Sequence, residues 1–466
     1  MNNLRSLQRI SLHQLAAHLA RLTCSKVPAC SFCSKNPDQP EKVVFNPKKI
    51  LVLAKVTKYD FERSLENDEN DEHVLHALIR RGVNVDWLVT RHNAHYRKLT
   101  ELLRILRLRG YEVQMVDRND FTADSVTWAD VVFTAGGDGT FLLGASKVRN
   151  RTKLVIGLNT DPEFSEGYLC LPKSCTWNLP KALDSLQTGN FKPFWRQRLR
   201  VTLLHQRNRP PKMDLLDKRK PVATDGWPER RSEILDPSPD EMREGKTPRD
   251  IFSLVPPGLR DEMMVTVLPV CALNEIYIGE ALSARVSQYE MSVDGTKSVR
   301  QKSSGIVIST GTGSTSWYRQ IMYQTPRTIA DILDLANEIQ SNEKIAEVQE
   351  AVQMHGSNLP LVDQGLSYPS VADLAQKIAQ RYNSSLRFAP EDNRMAYVVR
   401  DPLHNAVYCI SKPWGFAFNL QIRSLMLDAH LAFDGGCTFP FSYGSVAEFN
   451  INPSDALCCV RMSKWS

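Results

Sequence analysis

Val131-Val132-Phe133-Thr134-Ala135-Gly136-Gly137-Asp138-Gly139-Thr140-Phe141-Leu142-Leu143-Gly144-Ala145-Ser146 is the stretch that decides the fold. An apolar run of strand type enters a turn with three glycines, and a run of helix type leaves it. Glycines let a backbone come close to a phosphate, and the N-terminus of the following helix favours negative charge. Asp138 at the centre of the turn is then informative, because a carboxylate repels phosphate. It fits a base, a magnesium-linked acid or a hydroxyl binder, and so phosphoryl transfer to an alcohol. The competing reading is a βα turn whose aspartate caps the helix. The pentapeptide Gly136–Thr140 alone leaves the two readings about even.

Working outward, residues 48–170 alternate strand and helix signals. Ile50–Val56 reads as a buried strand. Leu99, Leu102, Leu103 and Leu106 mark a helix that Gly110 stops, and Tyr111–Val116 and Leu154–Leu158 are further strands. Strands separated by helices predict an open parallel sheet, whose ligands sit beyond the carboxyl ends of the strands, where Gly136–Thr140 lies. An α/β domain over 48–195 is therefore expected. From 196 to 466 strand signals dominate without interleaved helices: 198–204, 264–268, 275–278, 306–309, 416–420, 426–433 and 446–451. That pattern predicts a β-rich second domain. Residues 207–262, charged and rich in proline, are expected to form a mobile loop with a short helix at best. Residues 326–382 carry two helical patterns. The first places Ile329, Ile332, Leu333, Ala336 and Ile339 on an apolar stripe that predicts a homodimer surface.

The 466 residues carry a formal charge of +6. Residues 1–40 hold five of the cations against one acid, Asp38, so a surplus of only two remains for the rest. That gives no case for nucleic acid as a partner, and no apolar run is long enough to span a bilayer. The leader repeats leucine at near-helical spacing (Leu4, Leu7, Leu12, Leu15, Leu19, Leu22) among Arg5, Arg9 and His13. An acid-free, arginine-bearing amphipathic helix predicts a mitochondrial transit peptide and a matrix location. Of ten cysteines, only Cys30 and Cys33 form a C-x-x-C, with no second pair at zinc spacing. A metal site is not expected, and the other thiols read as free.

Two further segments bear chemistry. Asn274-Glu275 opens a strand, and its amide and carboxylate could bind ribose hydroxyls or adenine; alone, such a pair is more often a turn and a rim charge. Thr310-Gly311-Thr312-Gly313-Ser314-Thr315-Ser316-Trp317 follows an apolar strand and could cradle phosphate or a nucleotide; alone, it is an ordinary Gly-Ser turn.

The three segments in this order, with the late Asp434-Gly435, resemble the signature of the NAD kinase family: a Gly-Gly-Asp-Gly turn, an Asn-Glu pair and a long hydroxyl-rich loop. The likeness spans about residues 48–460 apart from the two insertions, and the leader and helical insertion resemble the family's mitochondrial branch. Gly311 stands where the family has proline, Ser316 where it has alanine, Trp317 where it has tyrosine, and Asp161 where it has a small residue. The resemblance implies an α/β domain followed by a β-sandwich-like domain. It implies phosphorylation of the adenosine ribose 2′-hydroxyl of NAD by ATP, with magnesium on the triphosphate. Asp138 would be the catalytic base, with Gly136, Gly137, Gly139 and Thr140 at the phosphates. Asn159, Asn274 and Glu275 would hold ribose and base, and Thr310, Thr312, Gly313, Ser314 and Thr315 would line the nucleotide groove. Two other functions share features of the sequence: a lipid kinase, which has the same glycine turn, and a non-catalytic dinucleotide sensor.

Overall fold

The strand β1 (Lys49–Ala54) is buried from its second residue to its last, and β3 (Val131–Ala135) and β4 (Leu154–Leu158) are buried throughout. Continuous burial is what a parallel strand covered on both faces requires. In the computed structural model, β1 pairs in parallel with β2 (Glu112–Val116) on one side and β3 on the other, and β3 pairs in parallel with β4. The structure describes residues 44–65, 71–207, 213–215, 234–235, 243–244, 254–255, 257–355, 370–405, 408 and 412–463. From Phe45 onward the chain forms one compact unit.

Seven helices among the described residues lie between β1 and β5: α1 (Lys58–Leu65), α2 (Asp71–Arg80), α3 (Val85–Leu108), α4 (Ala123–Trp128), α5 (Asp138–Ser146), α6 (Lys173–Trp177) and α7 (Leu179–Gln187). Asn84 caps α3 by accepting from the Trp87 amide, and Gly110, at φ 81°, follows its C-cap. One feature corrects the expected boundary at 195. The C-terminal strand Leu457–Met462 returns to this sheet, parallel to β4 and antiparallel to β5 (Phe191–Arg196). The sheet order is therefore β2-β1-β3-β4, the C-terminal strand, then β5.

The remainder forms the expected β-rich domain as a seven-stranded and an eight-stranded sheet. One core joins them: Leu199, Val201 and Leu203 of the first sheet cluster with Ile276, Ile278, Ile306 and Phe433 of the second. In the second sheet, Glu275–Glu280 lies antiparallel to both Gly305–Ser309 and Ala429–Phe433. This brings Asn274-Glu275, the hydroxyl loop and Asp434-Gly435 to one end of three adjacent strands.

The two insertions differ in kind: the described pieces of the first are short strands and a 3-10 turn, and the second is helical. Within 207–262 the described pieces include strands: Met213–Leu215 pairs with Cys437–Pro440, and Arg243–Glu244 pairs with Met263–Val267. The rest of that expectation lies outside the described residues, as does the leader with Cys30 and Cys33. The helices of the second insertion are Pro326–His355 and Val371–Ser385, which pack on each other. On the longer helix Ile329, Leu333 and Ala336 are half-buried, so the predicted stripe is split. Ile332, Leu335 and Ile339 are each more than half exposed. None of the described cysteines Cys170, Cys175, Cys271, Cys437, Cys458 and Cys459 is in a disulfide. No helix among the described residues is long and apolar enough to cross a membrane.

Candidate active site

The glycine turn leaves the carboxyl end of β3. The Gly136 amide donates to the Leu158 carbonyl at the end of β4 (2.9 Å), so two strand ends meet there. Gly137 is the N-cap of α5 and supplies no side chain to its first amides. The close fit starts at Gly136, where an added Cβ would lie 2.3 Å from the Thr140 hydroxyl; at Gly139 it would meet nothing within 4 Å. The start of α5 is thus unobstructed at Gly139, and a helix N-terminus with open space beside it suits a phosphate.

Asp138 does not cap its own helix. Its Oδ1 accepts from the Leu169 amide (2.8 Å) and its Oδ2 from the Tyr168 amide (3.1 Å). Both bonds tie the loop after β4 to the turn. Asn159 serves the same loop: its side-chain amide donates to the Ser165 carbonyl (2.9 Å) and its oxygen accepts from the Asp161 amide (3.1 Å).

A charged group beside the turn was not singled out from sequence. Lys55 follows β1, and its Cβ would lie 3.0 Å from a Cβ at Gly136. Its ammonium stands 3.7 Å from Asp161, which also accepts from both Nε (2.7 Å) and Nη2 of Arg91 on α3. Two cations therefore face one buried carboxylate, which accounts for Asp161 where the family has a small residue. Burial pushes the Lys55 amine down, and Asp161 opposes that shift. Nearby, His95 is fully buried with Nδ1 2.8 Å from the Thr160 hydroxyl, and burial pushes it down to about 4. The only available signal for Lys55 was its place at the carboxyl end of a predicted parallel strand.

The Asn274-Glu275 motif meets the late Asp-Gly motif at Asp434. This residue, at φ 48°, accepts from the amides of Leu273 (2.7 Å), Asn274 (2.8 Å) and Glu275 (3.0 Å). Three backbone bonds make it a clamp on the strand start, although burial still pushes its carboxyl up to about 6. The buried Oδ1 of Asn274 and Oε2 of Glu275 have no hydrogen-bond partner among the described residues. Buried polar atoms are normally satisfied, so these two mark a place for ligand groups. Burial, with Asp434 a second cause, pushes Glu275 up to about 8, so it is a neutral acid at pH 7 that can donate a hydrogen bond.

The hydroxyl loop is arranged differently from expectation. Thr310 Oγ1 donates to the Leu273 carbonyl (2.5 Å), Ser314 Oγ to the Gly311 carbonyl (2.6 Å) and Thr315 Oγ1 to the Thr312 carbonyl (3.3 Å). These hydroxyls hold the loop's own shape. Gly313 is required by close approach: an added Cβ would lie 2.2 Å from the Asn274 carbonyl oxygen. The first and third motifs are linked through Arg196 of β5. Its guanidinium donates to Thr312 (3.4 Å) and lies over the Phe141 ring of α5. Leu273 shares a core with Phe141, Val132 and Leu457, so Asn274 sits beside α5 as well. All three motifs thus converge, although 136 residues separate Asp138 from Asn274 in sequence.

Glu275→Gln is expected to raise the thermal midpoint of the ligand-free protein. A folded-state acid near 8, against 4.5 unfolded, contributes stability that is full below the unfolded value and lost as pH rises through the folded one. At pH 8 the neutral amide avoids that loss, for an increase of about 2 °C or more. Scanning calorimetry at pH 5 and pH 8 checks it: no gain at pH 8 over pH 5 contradicts the buried neutral acid.

Fold and site define a phosphotransferase with an α/β sheet and a β-sandwich joined at one nucleotide-type cleft. The chain is 36% identical over 424 residues to "NAD kinase 2, mitochondrial" of Homo sapiens, covering 90% of this chain and 85% of that protein. It is also 36% identical over 424 residues to the protein of that name from Rattus norvegicus, covering 90% and 89%. The Xenopus tropicalis protein is 34% identical over 441 residues, covering 90% and 91%. The chain belongs to the NAD kinase family, in its mitochondrial branch, and its location is the mitochondrion. Among solved structures, a yeast NADH kinase complexed with NADH aligns at a TM-score of 0.44 and 12% identity, covering 92% of this chain and 89% of that one. An NAD kinase from Archaeoglobus fulgidus in complex with ATP aligns at 0.40 and 12%, covering 89% and 95%. Likeness at that level adds nothing to the family assignment. No family model matches the chain.

Proposed function

We propose that this NAD kinase transfers the terminal phosphoryl of ATP to the adenosine ribose 2′-hydroxyl of NAD, with Asp138 accepting the hydroxyl proton. The observation that carries the reading is the convergence of the glycine turn with the unpartnered Asn274 Oδ1 and Glu275 Oε2. One part suits phosphate, the other suits ribose and base, and Asp138 belongs to the turn. Amides at the start of α5 receive the transferred phosphoryl. Tyr168 and Leu169 hold the Asp138 carboxylate in place while its remaining lone pairs face the substrate. Lys55 supplies positive charge beside the turn, held by Asp161.

Among the described residues no group of three or more His, Cys, Asp or Glu could hold a metal ion. One carboxylate, Asp138, beside a phosphate turn fits magnesium that would be carried by the triphosphate and not by a protein donor cage. When bound, the ion neutralises phosphate charge. The test is incubation of purified protein with NAD, ATP and magnesium, read by an NADP-specific dehydrogenase. NADP should accumulate with ATP consumption one for one. ATP consumption only when a diacylglycerol or sphingoid base is added would support the lipid-kinase reading instead.

The leader and the assembly follow from the same reading. Residues 1–40 act as a transit peptide, and a fluorescent reporter carrying them should enter mitochondria; a reporter left in the cytosol contradicts this. Exposed Ile332, Leu335 and Ile339 on the long insertion helix form the contact of a homodimer. Light scattering should give twice the chain mass at micromolar concentration, falling to one chain mass in Ile332→Asp/Ile339→Asp. A wild-type protein already at one chain mass ends the dimer proposal.

A further inference from the structure

Among the described residues the chain crosses between the first sheet and the β domain at two places. One is Gln197-Arg198, between β5 and the strand Leu199–Gln206. The other is 452–456, between the strands Val446–Ile451 and Leu457–Met462. Arg198 stands in the first crossing and is buried, with 4% of its surface exposed. Its Nε donates to the Asp455 carbonyl of the second crossing. Its Nη1 donates to the carbonyls of Val148 (2.7 Å) and Ala145 (3.4 Å) at the C-terminal end of α5. One side chain thus joins both crossings to the far end of the helix that begins with Asp138. Arginine keeps its charge in a protein, and a cation suits the negative end of a helix. The Asp455 carboxylate is taken by Arg200, whose Nε lies 2.6 Å from it.

We propose that Arg198 is a positioning residue for phosphoryl transfer: it fixes α5 along its axis, and with it the distance from Asp138 to an acceptor at Asn274 and Glu275. The inference rests on the kinase reading above and deepens it. The two halves of the site belong to different sheets. The glycine turn leaves β3, and Asn274-Glu275 opens a strand of the eight-stranded sheet. Apolar packing joins them, since Phe141, Ala145 and Val148 share a core with Leu273 and Leu457. Such packing is non-directional and does not by itself set the axial position of a helix. Hydrogen bonds have direction and length, and those of Arg198 grip α5 at one end. From Ala145 back to Asp138 the helix spans about 10 Å, and its own backbone bonds carry a shift from one end to the other. Misplacing reacting atoms by about 1 Å can cost roughly 10²-fold in rate. The hydrogen bonds of Arg198 go to the carbonyls of Ala145, Val148 and Asp455, not to Asp138, Asn274 or Glu275, so it acts through α5.

The experiment compares Arg198→Lys, Arg198→Ala and Asp455→Asn with the wild type, each as the full chain. Lysine keeps the charge but lacks the planar fork that meets several carbonyls at once. Asp455→Asn weakens the Arg200 pair and keeps the backbone carbonyl that Arg198 uses. The readouts are kcat for NADP formation, the NAD dissociation constant by calorimetry, the thermal midpoint, and hydrogen exchange at residues 136–142. Arg198→Lys should lower kcat about tenfold, with NAD affinity within about twofold of wild type. It should also speed exchange at 136–142 by about threefold or more. Arg198→Ala should lose more, and millimolar guanidinium should restore its kcat by about threefold or more. Asp455→Asn should lower the midpoint and leave kcat within about twofold. A kcat in Arg198→Lys within about twofold of wild type overturns the proposal. So does an equal loss of kcat in Asp455→Asn, which would make lost stability the cause. Should Arg198→Ala fail to fold, Arg198→Lys decides. A wild type that forms no NADP refutes the kinase reading. Faster exchange at 136–142 in Arg198→Lys then still upholds the grip of Arg198 on α5, and unchanged exchange overturns it.

Discussion

Asp138→Asn is expected to lower kcat by roughly 10²-fold or more, the scale of a lost general base. The substitution keeps the shape of the side chain and removes its basicity. It also changes the local hydrogen bonding, because each carboxylate oxygen accepts a backbone N–H, from Leu169 and Tyr168. The asparagine side chain has a single acceptor oxygen, so its NH2 group must face one of those N–H groups. A buried mismatch of that kind costs about 1–3 kcal/mol, and less at this partly exposed position. The loop at 165–169 should therefore loosen, while the Asn274 and Glu275 part of the acceptor site stays intact. Steady-state kinetics with NAD titration by calorimetry separates the two effects. A variant with near-normal kcat contradicts the base assignment whatever happens to NAD affinity.

Gly139→Ala should behave in the opposite way to a structural glycine mutation. An added Cβ at Gly139 meets nothing within 4 Å, whereas at Gly313 it meets the Asn274 carbonyl oxygen at 2.2 Å. Gly139 is helical, and alanine in a helix is favoured over glycine by about 1 kcal/mol. The folded protein should accept the change with an equal or slightly higher thermal midpoint. Catalysis should fall by about 10²-fold, because the methyl group occupies the space where the phosphoryl meets the backbone. Calorimetry and an NADP assay on the same preparation decide the matter. Full activity in Gly139→Ala would place the phosphate elsewhere, and a large drop in midpoint would mean the glycine serves the fold.

Much of this was legible because it is local. The run Val131–Ala135, the glycine turn and α5 are consecutive, and period and turn chemistry identify them from the sequence. The Asn274-Glu275 pair and the hydroxyl loop were identifiable as segments for the same reason. What they touch was not. The hydroxyls of Thr310, Ser314 and Thr315 bond within the protein, since a buried loop must first satisfy its own carbonyls. Asp434 was legible only as part of the late Asp-Gly motif, and its three backbone acceptor contacts, which make it a clamp, were not. Nothing in Leu457–Met462 says that it joins the first sheet: strand pattern shows which face is buried, but not which partner it meets across 300 residues of chain. The Lys55, Arg91 and Asp161 group is long-range in the same way, drawn from β1, α3 and the loop after β4. Side chains far apart in sequence carry no joint pattern, and the traces of the group were the unexpected acid at Asp161 and the place of Lys55 at a strand end.

The central claim is that the Asp138 turn and the Asn274-Glu275 strand start form one site for transfer to a ribose 2′-hydroxyl. Its most direct test is ³¹P NMR of the product formed from NAD and ATP by the wild type and by Asp138→Asn. The account predicts a single new monophosphate resonance, assigned to the adenosine 2′ position by coupling, which is lost in the variant over the same incubation. A phosphate at another position, or equal 2′-phosphate from both proteins, would contradict it.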